Sequence, residues 1–135
     1  MLRNGKLKKT YLAVVCGKMS GHGVIDKKIK RENESIIKRI VAADGESAIT
    51  GYEVIKSGAR YSFVKVLPKT GRTHQIRVHL SSMGHPLAGD TLYGGDDSVV
   101  RHLLHCRALE FIHPIKKKKM KIMAELPEDF KGVVF

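Results

Sequence analysis

Lys69-Thr-Gly-Arg-Thr-His-Gln-Ile-Arg-Val-His79, followed by Gly84-His-Pro-Leu-Ala-Gly-Asp90 and Tyr93-Gly-Gly95, is the stretch on which the reading of this chain turns. Ile76, Leu80 and Met83 fall at i, i+4 and i+7, which predicts a helix over residues 74–83, with Thr73 placed to cap its start and Gly84 to end it. Arg77 lies one turn from His74 and from Ser81, off that apolar stripe, so it can project into a site. Glycines mark tight turns or close backbone approach, and arginine offers a planar fork of donors suited to carboxylates and phosphates. The segment is suited to holding something anionic.

Outward from the helix, the pattern becomes that of strands. Lys9-Thr-Tyr-Leu-Ala-Val-Val15 is β-branched and aromatic and ends at Gly17. Val24-Ile25 and Ile36-Ile37 through Ile40-Val41 are shorter candidates. Asp44-Gly45 marks a turn, and Ala48 to Ile55 with Tyr61 to Leu67 reads as a β-hairpin. Beyond the Pro86 and Gly89-Asp90 breaks, Leu103 to Ile112 and Met120 to Ala124 predict a closing pair of strands. The expected fold class is α+β: a mixed, mainly antiparallel sheet with one principal helix, in a single domain over residues 1–135.

The chain has 135 residues and a formal charge of +12, from 25 Lys and Arg against 13 Asp and Glu. That length suits one compact domain, and that charge attracts phosphates, which makes nucleic acid the leading partner. No apolar run approaches the roughly 18 residues a membrane helix needs, and the start lacks the features of a signal peptide, so a cytoplasmic protein is expected. Cys16 and Cys106 sit in apolar, strand-like surroundings and read as buried reduced thiols. The run Lys116 to Lys119 falls between the last two strands, where it is either a solvated hairpin turn or a contact for RNA phosphates. His74 and His79 lie on different faces of the helix, and no paired-Cys or HExxH pattern occurs, so no metal site is expected.

The motif Gly71-Arg-Thr-His-Gln-Ile-Arg-Val-His79 with Gly84-His-Pro-Leu-Ala-Gly-Asp90 resembles the signature of the RluA-type (RluA/RluC/RluD-like) RNA pseudouridine synthases. Lys9 to Val15 with Gly17, Gly45-Glu-Ser-Ala-Ile-Thr50, and Leu104-His105-Cys-Arg-Ala-Leu109 with Phe111 and His113-Pro114 resemble the family in the same order. The resemblance implies part of a pseudouridine synthase catalytic fold that isomerises uridine in RNA, with ribosomal RNA as substrate class and no cofactor. Tyr11 matches the family's tyrosine that lies against the target uracil. Arg77 matches the arginine that pairs with the catalytic aspartate, where an adjacent cation keeps a carboxylate ionised. Arg72 and His74 are expected to shape the site or meet RNA, and Lys116, Lys117, Lys118 and Lys119 to meet its phosphates.

The family's nucleophilic aspartate lies in a His-Arg-Leu-Asp run upstream of the strand that matches Lys9 to Val15. Only Met1 to Lys8 precede that strand, and the run occurs nowhere in the sequence. Asp26, Asp44, Asp90, Asp96, Asp97 and Asp129 do not match its position, Asp44 and Asp90 lying in glycine turns. The expectation is therefore the C-terminal portion of a catalytic domain, without the catalytic-Asp segment or an N-terminal RNA-binding domain, and inactive alone. Self-association through an exposed sheet edge is expected of such a portion. The rival reading is a non-catalytic RNA-binding module, which the charge explains but which leaves Tyr11 and Arg77 without a purpose.

Overall fold

The computed structural model describes residues 7–32, 38–97, 99, 101–112, 115–131 and 133, with backbone alone at 111, 112 and 131. Its strands are β1 (Lys8–Cys16), β2 (His22–Asp26), β3 (Ile29–Arg31), β4 (Arg39–Val41), β5 (Ile49–Ser57), β6 (Tyr61–Pro68), β7 (Leu104–Ile112) and β8 (Lys119–Met123). Six of them form a sheet in the order β2-β5-β6-β1-β7-β8, in which every neighbouring pair is antiparallel. The other two, β3 and β4, form a separate ribbon. The expected hairpin and closing strand pair are both present. Ile36, Ile37, His113 and Pro114 lie outside the described residues.

β1 is central, and its period-2 alternation serves two cores because both faces are covered. Tyr11, Ala13 and Val15 face Ile76 and Leu80 of the helix, whereas Leu12, Val14 and Cys16 face Leu103, Phe130 and Leu126. The segment after the helix seals the sheet end: Cys16 N–H donates to Pro86 O, and Ala88 N–H to Val14 O.

The principal helix α1 spans Gln75–Ser82, and its position differs from expectation at both ends. Thr73 does not cap it. His74 is the N-cap, in a left-handed conformation, and the amide oxygen of Gln75 accepts the Arg72 N–H at 3.0 Å instead. Met83 lies past the last turn and is exposed, so Val78 and His79 take the buried positions that a strict i, i+4, i+7 stripe misses. Gly84 does end the helix: its φ of +84° lets Gly84 N–H reach Ser81 O and His85 N–H reach Leu80 O, a Schellman closure. Cys16 and Cys106 are free and only half-buried, which corrects the expectation of buried thiols.

Candidate active site

A cleft of about 320 Å³ opens where α1 meets the end of the sheet formed by the start of β1 and the end of β6. Its walls include Lys9, Tyr11, Arg72, His74, Arg77 and His102. The volume falls at the lower end of the roughly 300–1,000 Å³ usual for small-molecule sites. Four residues singled out in the sequence, Tyr11, Arg72, His74 and Arg77, therefore line one space. Lys116 to Lys119 do not line it. They are exposed at the β7–β8 hairpin, beyond the sheet end to which Lys9 and Pro68 also point.

Tyr11 reaches the cleft from a register break. The β1–β7 pairing shifts between Thr10, opposite Ala108, and Tyr11, opposite Cys106, so Arg107 is left over as a bulge on β7 beside the place where the ring leaves β1. Tyr11 packs partly against the apolar core, and that burial, followed by the neighbouring Cys106 thiol, pushes its hydroxyl pKa up. It offers an apolar face with a neutral hydroxyl.

Arg77 is held by Asp90. Nε donates to Oδ2 and Nη2 to Oδ1, each at 2.9 Å, a bidentate pairing that orients the guanidinium. Asp90 is 1% exposed and lies behind the arginine, while the Arg77 guanidinium carbon sits 5.0 Å from the centre of the Tyr93 ring. The carboxylate, and then burial acting the other way, leaves the Arg77 pKa raised. In the sequence Asp90 reads only as a turn residue; in the fold it is the ionic partner of Arg77. The turn is nonetheless what aims it. Gly89 holds φ +81°, and a Cβ there would collide with the main-chain oxygen of Arg101.

Tyr93 joins this pair to His74. Its hydroxyl accepts the Arg39 N–H at 2.9 Å and lies 2.7 Å from His74 Nδ1, with the two rings edge-to-face at 5.7 Å. Burial first, then the charge of Arg77, lower the pKa values of both His74 and His102. The cleft thus places neutral imidazoles beside a fixed guanidinium. Arg72 is exposed but tethered, its Nε donating to Ser47 O at 2.8 Å and its Nη1 to Glu46 at 3.1 Å.

Beneath the cleft runs a polar chain whose polarity can be assigned from one end. Lys27 O can only accept, so His79 donates from Nε2 at 2.8 Å and its Nδ1 accepts the Thr50 hydroxyl at 2.7 Å. Thr50 Oγ1 in turn accepts from Gln75 Nε2 at 2.9 Å, and Gln75 Oε1 accepts from the Thr70 hydroxyl at 2.6 Å. This chain fixes the first turn of α1, and with it Arg72 and His74, against β5. Gln75, Thr70, Tyr93, Asp90 and His102 are site residues that the sequence does not single out. The signal of Thr70, Gln75, Asp90 and Tyr93 is limited to position inside the glycine-rich motif, and His102 lies outside it.

Comparison with known proteins agrees with this architecture. The family model described as RNA pseudouridylate synthase matches residues 1–82, and the chain belongs to that family. It is 44% identical over 134 residues to YjbO of Bacillus subtilis, named an uncharacterized RNA pseudouridine synthase, covering 98% of this chain and 47% of that protein. It is 36% identical over 144 residues to the ribosomal large subunit pseudouridine synthase D of Pseudomonas aeruginosa, covering 96% of this chain and 45% of the relative. The chain spans about half the length of these curated relatives. Among solved structures, human RNA pseudouridylate synthase domain containing 1 superposes with a TM-score of 0.77 at 28% identity, over 89% of this chain and 55% of that one. The fold class expected from the sequence is the one observed, on a sheet shared with pseudouridylate synthase domains.

Proposed function

We propose that this chain supplies one wall of an RNA pseudouridine synthase active site, acting on ribosomal RNA in the cytoplasm. The observation that carries the reading is the convergence of Tyr11 and Arg77, from β1 and α1, on one cleft in a protein of charge +12. A flipped uridine must leave its stack at a cost of a few kcal/mol, and stacking on an aromatic ring such as Tyr11 returns roughly 1–3 kcal/mol per base. Asp90 takes the Nε donor and one Nη2 donor of Arg77, which leaves the Nη1 donors and the second Nη2 donor for a second carboxylate in the cleft. In this reading that carboxylate is the family's aspartate, carried by a His-Arg-Leu-Asp segment that this sequence does not contain. The C1′–N1 bond breaks, a C1′–C5 bond forms, and a proton leaves C5 while one is gained at N1, so the reaction is an isomerisation without cofactor.

Arg72 and His74 border the base site, and Lys116 to Lys119 extend the basic surface at the same sheet end for RNA phosphates. No helix among the described residues is long and apolar enough to cross a membrane. The outer strands β2 and β8 are the edges on which self-association, or docking of the aspartate-bearing segment, would occur.

Tritium release from C5-labelled uridine RNA tests the proposal. The chain alone is expected to release none, because loss of a nucleophile costs on the order of 10⁴–10⁶ in rate, and addition of a fragment bearing the segment is expected to restore release. RNA binding without release from a complex shown to be assembled would favour the non-catalytic binding module.

A further inference from the structure

We propose that His74 is a specificity residue whose Nε2–H donates a hydrogen bond to a carbonyl oxygen of the pyrimidine base in the cleft. This rests on the reading of the cleft as a uridine site.

Tyr93 is buried, and its hydroxyl carries one hydrogen. That oxygen already accepts the Arg39 N–H at 2.9 Å, and its other neighbour is His74 Nδ1 at 2.7 Å. If His74 held its proton on Nδ1, the tyrosine would accept twice and its own hydrogen would be left without a partner in a buried position. The Tyr93 hydrogen and the Nδ1 lone pair are both satisfied when Tyr93 donates to Nδ1, which places the proton of a neutral imidazole on Nε2.

Nε2 lies on the opposite edge of the ring. It has no protein partner among the described residues, and the imidazole lines the cleft beside Arg77, His102 and Gln75. The backbone at His74 adds a second, independent observation. Its φ of 56° and ψ of 22° place a non-glycine residue in the left-handed region, a conformation that persists when surroundings over-determine it and that clusters at functional sites. Here the surroundings are the Tyr93 hydroxyl, the edge-to-face Tyr93 ring and the anchored turn at Arg72.

Neutrality gives the donor its selectivity. A cationic imidazolium would attract any phosphate, whereas a neutral N–H favours the directed acceptor of a base carbonyl over diffuse negative charge. The charged and titratable groups around the ring act in both directions, Arg77, Arg39 and His102 against protonation and Asp90 for it, and burial is the largest influence, against it. Uracil presents two carbonyl oxygens that an in-plane N–H can reach.

Nitrogen-15 NMR of the uniformly 15N-labelled full chain tests this, with pentauridylate and an abasic pentamer of equal length as probes. The free chain is expected to show the Nε2–H tautomer at His74, moving toward a mixture in Tyr93→Phe. Pentauridylate should shift Nε2 and the abasic strand should not. His74→Asn, which tolerates the left-handed backbone, should lower the preference for pentauridylate over the abasic strand about tenfold, the size of one neutral hydrogen bond. Affinity for the abasic strand should hold, which a merely structural role would not predict. An Nδ1–H tautomer, or movement of Tyr11 and Arg77 resonances on adding pentauridylate while Nε2 stays fixed, overturns the inference and leaves the uridine site standing. If Tyr11 and Arg77 do not respond either, the uridine reading of the cleft falls and the inference with it.

Discussion

Arg77 and Asp90 meet edge to edge, Nε on Oδ2 and Nη2 on Oδ1, with the carboxylate sealed behind the guanidinium and 1% exposed. The pair bridges α1 to the turn that follows it, so the arginine facing the cleft is also a strut of the fold. Removing one member leaves the other charged and without its counter-ion in a desolvated place. Arg77→Ala is therefore expected to destabilise the chain by about 3–5 kcal/mol in urea unfolding. Arg77→Lys should recover only part of this, because a point charge cannot reproduce the fork. A loss below about 1 kcal/mol for the alanine variant, the range of an exposed pair, would show that Asp90 is not held as described.

The aspartate is aimed by Gly89. With φ at +81° and the main-chain oxygen of Arg101 standing where a Cβ would need room, Gly89→Ala adds both backbone strain and a clash with main chain. The expected loss is roughly 2–6 kcal/mol. Gly84 has the same sign of φ and nothing within 4 Å, so Gly84→Asn should cost far less. Urea midpoints of the two variants, measured side by side, check this; equal effects would refute the role of crowding at Gly89.

The buried His79 supplies a pH signature. Its pKa is lowered from 6.5, burial being the main cause, so the folded state holds the imidazole neutral between Lys27 O and Thr50. A depressed folded pKa means that the contribution to stability is complete above the unfolded value near 6.5. It is lost as pH falls through the lower folded value, where the unfolded state binds the extra proton first. Unfolding free energy should therefore decline below about pH 6.5, and His79→Gln should remove part of that slope while lowering stability at neutral pH by about 1–3 kcal/mol through unpaired buried groups. An unchanged slope in the variant would place the titration elsewhere.

The parts of the fold visible in the sequence are those whose signal is local. β1, the β5–β6 hairpin and α1 carry their own periodicity, and Gly84 marks a helix end because only its backbone geometry is at stake. Met83 misleads because the helix stops at Ser82, one residue short of the stripe's third member, and His79 escapes notice because a polar residue in a core is legible only through partners from distant strands. Tyr11 and Arg77 are legible through resemblance to a motif. Asp90 and Tyr93 are not, because their roles depend on the chain after α1 folding back against β1, an arrangement set by tertiary packing. A Gly-Asp turn reads as punctuation until its side chain is seen to be buried.

Lys116 to Lys119 give the last test, since their place at the hairpin beyond the cleft's end of the sheet leaves both sequence readings open, solvated turn and phosphate contact. All four are exposed, and Lys119 lies 3.9 Å from Glu110, a separation at which an exposed ion pair contributes little. Replacing the four with serine should leave folding within about 0.5 kcal/mol, as surface substitutions usually do. If the loop touches RNA, the log–log dependence of single-strand affinity on salt should flatten by about 0.7 for each phosphate that the lysines no longer neutralise. Tyr11 and Arg77, proposed above to act on the flipped base and on the aspartate, should influence that slope little. Titrations of a uridine-rich strand from about 50 to 200 mM salt measure it directly. An unchanged slope would assign the lysines to the solvated turn and move the phosphate track to Lys9 and Arg72 at the cleft itself.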